Sequence, residues 1–72
     1  MSEADKMFEE LGWDKKEFDI SIEYSKINAG SYEEMMICFD KRYKGITIDT
    51  WLEIAELKAI NQKCKELGWL DD

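Results

Sequence analysis

Residues 18–25, FDISIEYS, decide the fold, because apolar and polar side chains alternate along them without interruption. The apolar members share one side of an extended chain and are Phe18, Ile20, Ile22 and Tyr24. The polar members share the other side and are Asp19, Ser21, Glu23 and Ser25. Alternation with a period of two, rich in β-branched and aromatic side chains, is typical of a half-buried antiparallel strand.

Two further strands are predicted after this one. The turn-forming residues Asn28, Ala29, Gly30 and Ser31 lead into residues 35–40, where apolar side chains occupy both sides of the alternation. A basic turn over residues 41–45 follows, and residues 46–49 then begin a third strand. The pattern therefore predicts three antiparallel strands.

Helices are predicted at both ends of the chain. The helix over about residues 3–11 has an apolar stripe at Ala4, Met7, Phe8 and Leu11 and ends at Gly12. The helix near the other end has its stripe at Ile54, Leu57, Ile60, Cys64 and Leu67 and ends at Gly68. Its start is open, because residues 50–53 fit a capping box that would begin it at Trp51, whereas a third strand that runs on to Trp51 would delay the start to near Ile54.

The element order predicted from these patterns is α-β-β-β-α. Two amphipathic helices and three strands with an apolar face fit an α+β fold, in which a three-stranded antiparallel sheet carries both helices packed on one face. A length of 72 residues predicts a single domain, residues 1–72.

Composition argues against several classes of function. The chain has 17 acidic and 10 basic residues, a net charge of −7, and no histidine. The charge disfavours direct binding to nucleic acid or to an anionic membrane, and the lack of histidine disfavours catalysis. No ligand spacing for a metal and no phosphate-binding glycine loop is present, so we expect no cofactor, no metal and no enzymatic activity.

The chain is expected to be cytoplasmic and reduced. Its start is polar and acidic, without the basic and apolar regions of a secretory signal, and its longest apolar run is far shorter than the ~20 residues of a membrane span. The two cysteines, Cys38 and Cys64, are interpreted as small packing residues, because free cysteine is usually buried.

The side of the predicted sheet that faces away from the helices would be acidic. Its carboxylates would surround a small apolar centre of Met36, Cys38 and Trp51, with no basic residue among them. The predicted partner-binding residues are Asp19, Glu23, Glu34, Met36, Asp40, Asp49 and Trp51. Such a face suits a basic groove on another protein, although acidic side chains on an open sheet face also serve solubility alone.

The two ends of the chain share a short sequence motif. The segments Phe8–Trp13 and Glu66–Trp69 share the sequence Glu-Leu-Gly-Trp. Between them lie the alternation at Ile20, Ile22 and Tyr24 and the run at residues 56–61. With these features the chain resembles small acidic proteins encoded by prophages of Gram-positive bacteria. The resemblance implies a phage or mobile-element setting, in which inhibitors of bacterial defence, including anti-CRISPR proteins, are frequent.

These observations lead to one main hypothesis of function. The protein would be a non-catalytic binding module, an anti-CRISPR-like inhibitor that engages a basic nucleic-acid-binding surface of a host protein, such as a nuclease or CRISPR effector. One alternative is a structural or assembly protein that forms a homo-oligomer through its sheet edges or its Trp pair. Another is a regulator that acts through the turn bearing Lys41, Arg42 and Lys44.

Overall fold

The computed structural model describes residues 2–70 and confirms an α+β fold with two helices and an antiparallel sheet. The elements are α1 (Glu3–Glu10), β1 (Asp14–Glu17), β2 (Ser21–Ile27), β3 (Glu34–Asp40), β4 (Gly45–Ile48) and α2 (Ile54–Glu66). They form two compact units. The helical unit contains the residues before Trp13 and those after Trp51, and the sheet unit is Trp13–Trp51. That both helices pack on one face of the sheet stays a prediction. None of the helices within residues 2–70 is long and apolar enough to cross a membrane.

The sheet has four strands, so the prediction of three was wrong. The additional strand is β1, whose residues Asp14, Lys15, Lys16 and Glu17 are all exposed. It carries no apolar side chain, so no alternation of hydrophobicity marks it. It pairs antiparallel with β2 and forms one edge of the sheet, a position where charged strands are common because they discourage further pairing.

The first predicted strand began three residues too early. β2 starts at Ser21, and the chain before it turns back to β1, where the Phe18 N–H donates to the Ser21 carbonyl over 2.8 Å. Phe18 and Ile20 are consequently 48% and 46% exposed instead of buried, and Asp19 lies in the turn. A turn that happens to continue the alternation of a strand is indistinguishable from it by pattern alone.

All strands pair antiparallel with their neighbours in chain order. Ile22 lies opposite Phe39, and Tyr24 lies opposite Ile37, and all four side chains are fully or almost fully buried. The Tyr24 and Phe39 rings meet edge to face with their centroids 5.7 Å apart. These residues form the apolar face of the sheet, and their alternation fixes which residues point the other way.

The helix starts are set by side-chain caps. The Ser2 hydroxyl accepts the Asp5 N–H over 3.0 Å, which confirms the predicted start of α1. α2 begins at Ile54, where Glu53 and Glu56 form a capping box and the Glu56 carboxylate accepts the Glu53 N–H over 2.8 Å. A start near Ile54 is thus confirmed and the start at Trp51 is wrong, because the cap at Glu53 replaces the one predicted at Thr50.

The helices end at glycines, as predicted. Gly12 and Gly68 have φ angles of 90° and 76°, which only glycine adopts without strain. After α2, the Trp69 N–H donates to the Cys64 carbonyl over 2.9 Å and the Gly68 N–H donates to the Lys65 carbonyl over 3.0 Å. This is the Schellman arrangement, and it satisfies carbonyls that the helix leaves open.

The buried side of α2 differs from the predicted stripe. Ile60 and Cys64 are buried, but Ile54 and Leu57 are 66% and 53% exposed. The buried positions of α2 are Glu56, Ala59, Ile60, Lys63 and Cys64. Polar residues hold two of these places because they are paired, which hydrophobicity cannot reveal.

The pairing of Lys63 joins the two helices. Its ammonium lies 3.3 Å from Asp5 Oδ1 and 4.0 Å from Glu66 Oε1, and the Lys63 side chain is 7% exposed. The Glu66 carboxylate in turn accepts the Ala4 N–H over 2.9 Å, so α2 supplies an acceptor to the first turn of α1. We call Asp5, Lys63 and Glu66 the helix charge cluster.

Candidate partner-binding face of the sheet

The side of the sheet opposite its apolar face carries most of the predicted site, and we call it the polar face. The strand register places Glu23 opposite Cys38, Ser25 opposite Met36, and Ser21 opposite Asp40. The polar face consists of Asp14, Lys16, Ser21, Glu23, Ser25, Ile27, Glu34, Met36, Cys38, Asp40, Gly45 and Thr47. Its assignment follows from the rule that directly opposed residues of antiparallel strands point to the same side.

Four of the seven predicted site residues meet on this face. Glu23 comes from β2, whereas Glu34, Met36 and Asp40 alternate along β3. Met36 and Cys38, two of the three residues of the expected apolar centre, are half-buried on this face, whereas the third, Trp51, lies outside the strands. The strand alternation was therefore sufficient to bring these residues together.

The other three predicted residues lie outside the strands. Asp49 directly follows β4, and its carboxylate accepts the Met36 N–H over 2.9 Å, so it closes the pairing of β3 with the chain beyond β4. Asp19 occupies the turn between β1 and β2. Trp51 lies between β4 and α2 and is 81% exposed.

Asp40 is already engaged by the turn that follows it. Arg42 Nη2 lies 3.1 Å from Asp40 Oδ2, and the backbone N–H groups of Arg42 and Tyr43 donate to Asp40 Oδ1 over 2.8 and 3.3 Å. The hydrogen bond from the Arg42 guanidinium, with smaller help from these N–H groups, holds the pKa of Asp40 below its usual value. Asp40 is thus ionised, but part of its charge is compensated within the turn.

The polar face is not free of basic residues, and that expectation was wrong. β1 places Lys16 directly opposite Glu23. The sequence pattern missed Lys16 because it missed β1 altogether. Within the strands, the face still holds four carboxylates, at Asp14, Glu23, Glu34 and Asp40, against one ammonium.

Glu23 and Glu34 are the carboxylates best placed for a partner. Glu34 is exposed and Glu23 is half-exposed, and neither carboxylate forms a hydrogen bond or ion pair with another of residues 2–70. A carboxylate without an intramolecular partner can exchange its water for a cationic group of another protein.

The cysteine at the centre of the polar face is not activated. Burial, together with the charges of Glu23 and Asp40, raises the pKa of the Cys38 thiol, and burial likewise raises the pKa of Cys64. Reactive cysteines require the opposite shift, which comes from positive surroundings. Both thiols are therefore protonated at neutral pH and serve packing.

Nothing within the described part of the chain gathers three side chains of the kinds that bind metal ions. Buried side-chain nitrogen and oxygen atoms of residues 2–70 all have hydrogen-bond partners. Among the residues that this structure describes, no buried side-chain nitrogen or oxygen is thus left unsatisfied as the start of an enclosed ligand site.

The turns at one end of the sheet form a second exposed region. The Lys41 ammonium lies 3.2 Å from Glu17 Oε2 and donates to the Phe18 carbonyl over 3.0 Å, which ties the β3–β4 turn to the β1–β2 turn. Phe18, Ile20 and Tyr43 are exposed beside it. The turn that holds Tyr43 was predicted at residues 41–45, whereas the sequence pattern placed Phe18 and Ile20 in a strand.

Comparisons of the chain with protein-family models, with curated proteins and with solved structures find no match. The features of residues 2–70 that bear on function are thus the geometry and charge of the polar face.

Proposed function

We propose that the protein is a non-catalytic binding module of the cytoplasm, which occupies a basic, nucleic-acid-binding surface of a host protein through its polar face. The observation that carries this proposal is the set of four carboxylates, Asp14, Glu23, Glu34 and Asp40, on one side of a single sheet. The resemblance to prophage proteins supports an anti-defence role, with a nuclease or CRISPR effector as the partner.

Charge and shape support this use of the polar face. A groove that binds nucleic acid presents lysine and arginine side chains to phosphates, and carboxylates on a rigid sheet can satisfy the same cations. Because such charges act over about one Debye length, roughly 8 Å at physiological salt, binding would weaken as salt is raised. The protein would then act as a nucleic-acid mimic without binding nucleic acid itself.

The residues take different roles in the proposed complex. Glu23 and Glu34 supply the uncompensated charges, and Met36 supplies apolar contact between them. The exposed Trp51 is a second anchor, since large aromatic side chains dominate many interfaces. Asp19, Asp40 and Asp49 contribute to long-range attraction while Asp40 and Asp49 also hold their own turns.

The test is a comparison of three tagged baits in a nuclease-treated lysate of a Gram-positive bacterium that carries defence systems. The baits are the wild type, Glu23→Lys with Glu34→Lys, and the control Glu9→Lys with Glu10→Lys, which changes two exposed residues of α1. Both doubles change the net charge equally, from −7 to −3, because each replacement adds two charges. They therefore differ only in where the charge changes.

We expect the wild type and the α1 control to capture the same nucleic-acid-binding protein, and the polar-face variant to lose it. DNA that is added after the nuclease has been washed away should compete with the wild type for that protein, and raising the salt concentration should release the complex. Equal capture by the polar-face variant, or equal loss by the α1 control, would contradict a specific role for this face.

A further inference from the structure

The two edges of the sheet differ in a way that bears on assembly. At one edge, β1 consists of four charged residues. At the other, β4 has the sequence Gly45-Ile46-Thr47-Ile48 and carries no charge. Edge strands are open templates for further pairing, and proteins usually block them with charged side chains, especially lysine. β1 has this protection, whereas β4 does not.

The hydrogen-bonding pattern shows which backbone groups of β4 are available. The Asp49 N–H donates to the Met36 carbonyl and therefore points toward β3. Because antiparallel ladders alternate, the N–H and C=O groups of Thr47, two residues earlier, also point toward β3. The groups of Ile46 and Ile48 consequently point away from the sheet. The free edge thus offers two donors and two acceptors in a row.

The side chains of β4 are also incompletely covered. Ile46 and Ile48 lie on the apolar side of the sheet, opposite Phe39 and Ile37, yet they remain 36% and 40% exposed. Their partners on β3 are fully buried. An additional strand beside β4 would extend this apolar row and remove it from water.

We propose that β4 pairs antiparallel with β4 of a second copy of this chain, around a two-fold axis that passes beside Thr47. Ile46 then lies opposite Ile48 of the second copy, and by symmetry Ile48 lies opposite Ile46 of the second copy. Both are residues whose backbone groups point outward, so the two strands exchange four hydrogen bonds. The result is one continuous sheet of eight strands.

A second copy of the chain suits the free edge of β4, because β4 carries no charge that would oppose itself. Two chains of net charge −7 repel each other, but the residues that would be directly opposed are two Ile pairs and Thr47 with itself. The nearest carboxylates of the two copies would be Asp49 of one and Asp40 of the other, two strand spacings apart, about 10 Å, which still exceeds the Debye length of about 8 Å. Self-pairing of β1 around Lys16 would instead oppose Lys16 with Lys16, although it would also set Lys15 opposite Glu17.

This pairing goes beyond the proposed function and does not depend on it. A two-fold axis perpendicular to the sheet leaves both polar faces on the same side, so the dimer would present two copies of the polar face to one partner surface. Binding through that face and pairing through β4 use different residues, and their tests are separable.

The test is sedimentation equilibrium of the wild type and of variants at Thr47, which is exposed and would face its own copy. We expect a concentration-dependent dimer for the wild type. Thr47→Lys and Thr47→Glu each oppose like charges across the axis and should raise the dissociation constant about fivefold or more. An equimolar mixture of the two should form a heterodimer at least as tight as the wild-type dimer.

The control is Ala29→Lys, which adds the same charge in the β2–β3 turn and should dimerise like the wild type. Circular dichroism of each variant checks that the fold is retained. A wild type that is monomeric at every concentration, or a Lys–Glu mixture without heterodimers, would overturn the proposal. Pairing of β4 only with an extended peptide of another protein would also show as a monomeric wild type.

Discussion

The helix charge cluster and the polar face both contain carboxylates, but they use them in opposite ways. Lys63 is 7% exposed and has Asp5 and Glu66 around it, so these charges compensate one another inside the helical unit. Glu23 and Glu34 stand on the sheet without intramolecular partners among residues 2–70. The first group stabilises the fold and the second is available to another protein. Mutations should therefore separate an effect on stability from an effect on binding.

The largest loss of stability is expected from Lys63→Met. Replacing the buried lysine removes the ammonium that lies between two carboxylates, Asp5 and Glu66, which costs about 3 kcal/mol. The free energy of unfolding, measured by urea denaturation, should fall by about that amount. Lys6→Met, which alters an exposed lysine of α1, is the matched control and should change it by less than about 0.5 kcal/mol. Equal effects of the two changes would show that the helix charge cluster has no special role.

A smaller loss is expected from Glu66→Gln. The change removes the negative charge at the first turn of α1 but keeps an oxygen that can accept the Ala4 N–H, so we expect a loss of about 1 kcal/mol at neutral pH. Urea denaturation of this variant beside the wild type measures it.

The effect of Glu66→Gln should also depend on pH. Burial by itself raises the pKa of Glu66, but hydrogen bonds from Ala4, Ser2 and Gln62, and the charge of Lys63, bring it below the usual value. A carboxyl group with a lowered pKa in the folded state stabilises the fold above its unfolded pKa of about 4.3 and loses this effect as the pH falls through the folded value. The difference between the two proteins should hence be constant from pH 7 to about pH 5 and shrink at lower pH. A difference that grows in acid would contradict the assigned sign.

Trp51→Ala should change binding more than stability. The side chain is 81% exposed, so its removal should alter the free energy of unfolding by at most about 0.5 kcal/mol. As an interface anchor it should nonetheless weaken capture of the partner at least about tenfold, which isothermal titration with the captured protein would measure. Tyr32→Ala, which removes another exposed aromatic at 82% exposure, is the control and should leave binding unchanged.

Local sequence patterns predicted the fold correctly where buried and exposed side chains alternate regularly and where a glycine ends a helix. The strands around Tyr24 and Ile37, the glycine ends of both helices and the convergence of Glu23, Glu34, Met36 and Asp40 all follow from such periodicity. These features depend mainly on the residues that are close in sequence, so a single amino-acid sequence is enough to predict them.

Features that depend on long-range pairing were missed. β1 exists because β2 offers it hydrogen bonds, and nothing in Asp14–Glu17 itself favours a strand. The burial of Lys63 depends on its ion pair with Asp5, which is 58 positions away in the sequence. Because β1 was not predicted, Lys16 was not expected on the polar face, and the predicted charge of the candidate site was wrong by one positive charge.

The smallest effect on stability, and the sharpest contrast with Lys63, is expected from Glu23→Lys with Glu34→Lys. Neither carboxylate forms an ion pair within residues 2–70, and reducing the magnitude of the net charge from −7 to −3 weakens repulsion within the folded chain. This gain offsets the small cost of placing a lysine at position 23, directly opposite Lys16. The free energy of unfolding should stay within about 0.5 kcal/mol of the wild type, or rise slightly, while partner capture is lost. If urea denaturation instead shows a loss comparable to that of Lys63→Met, the polar face supports the fold and its acidic residues need no binding partner to explain them.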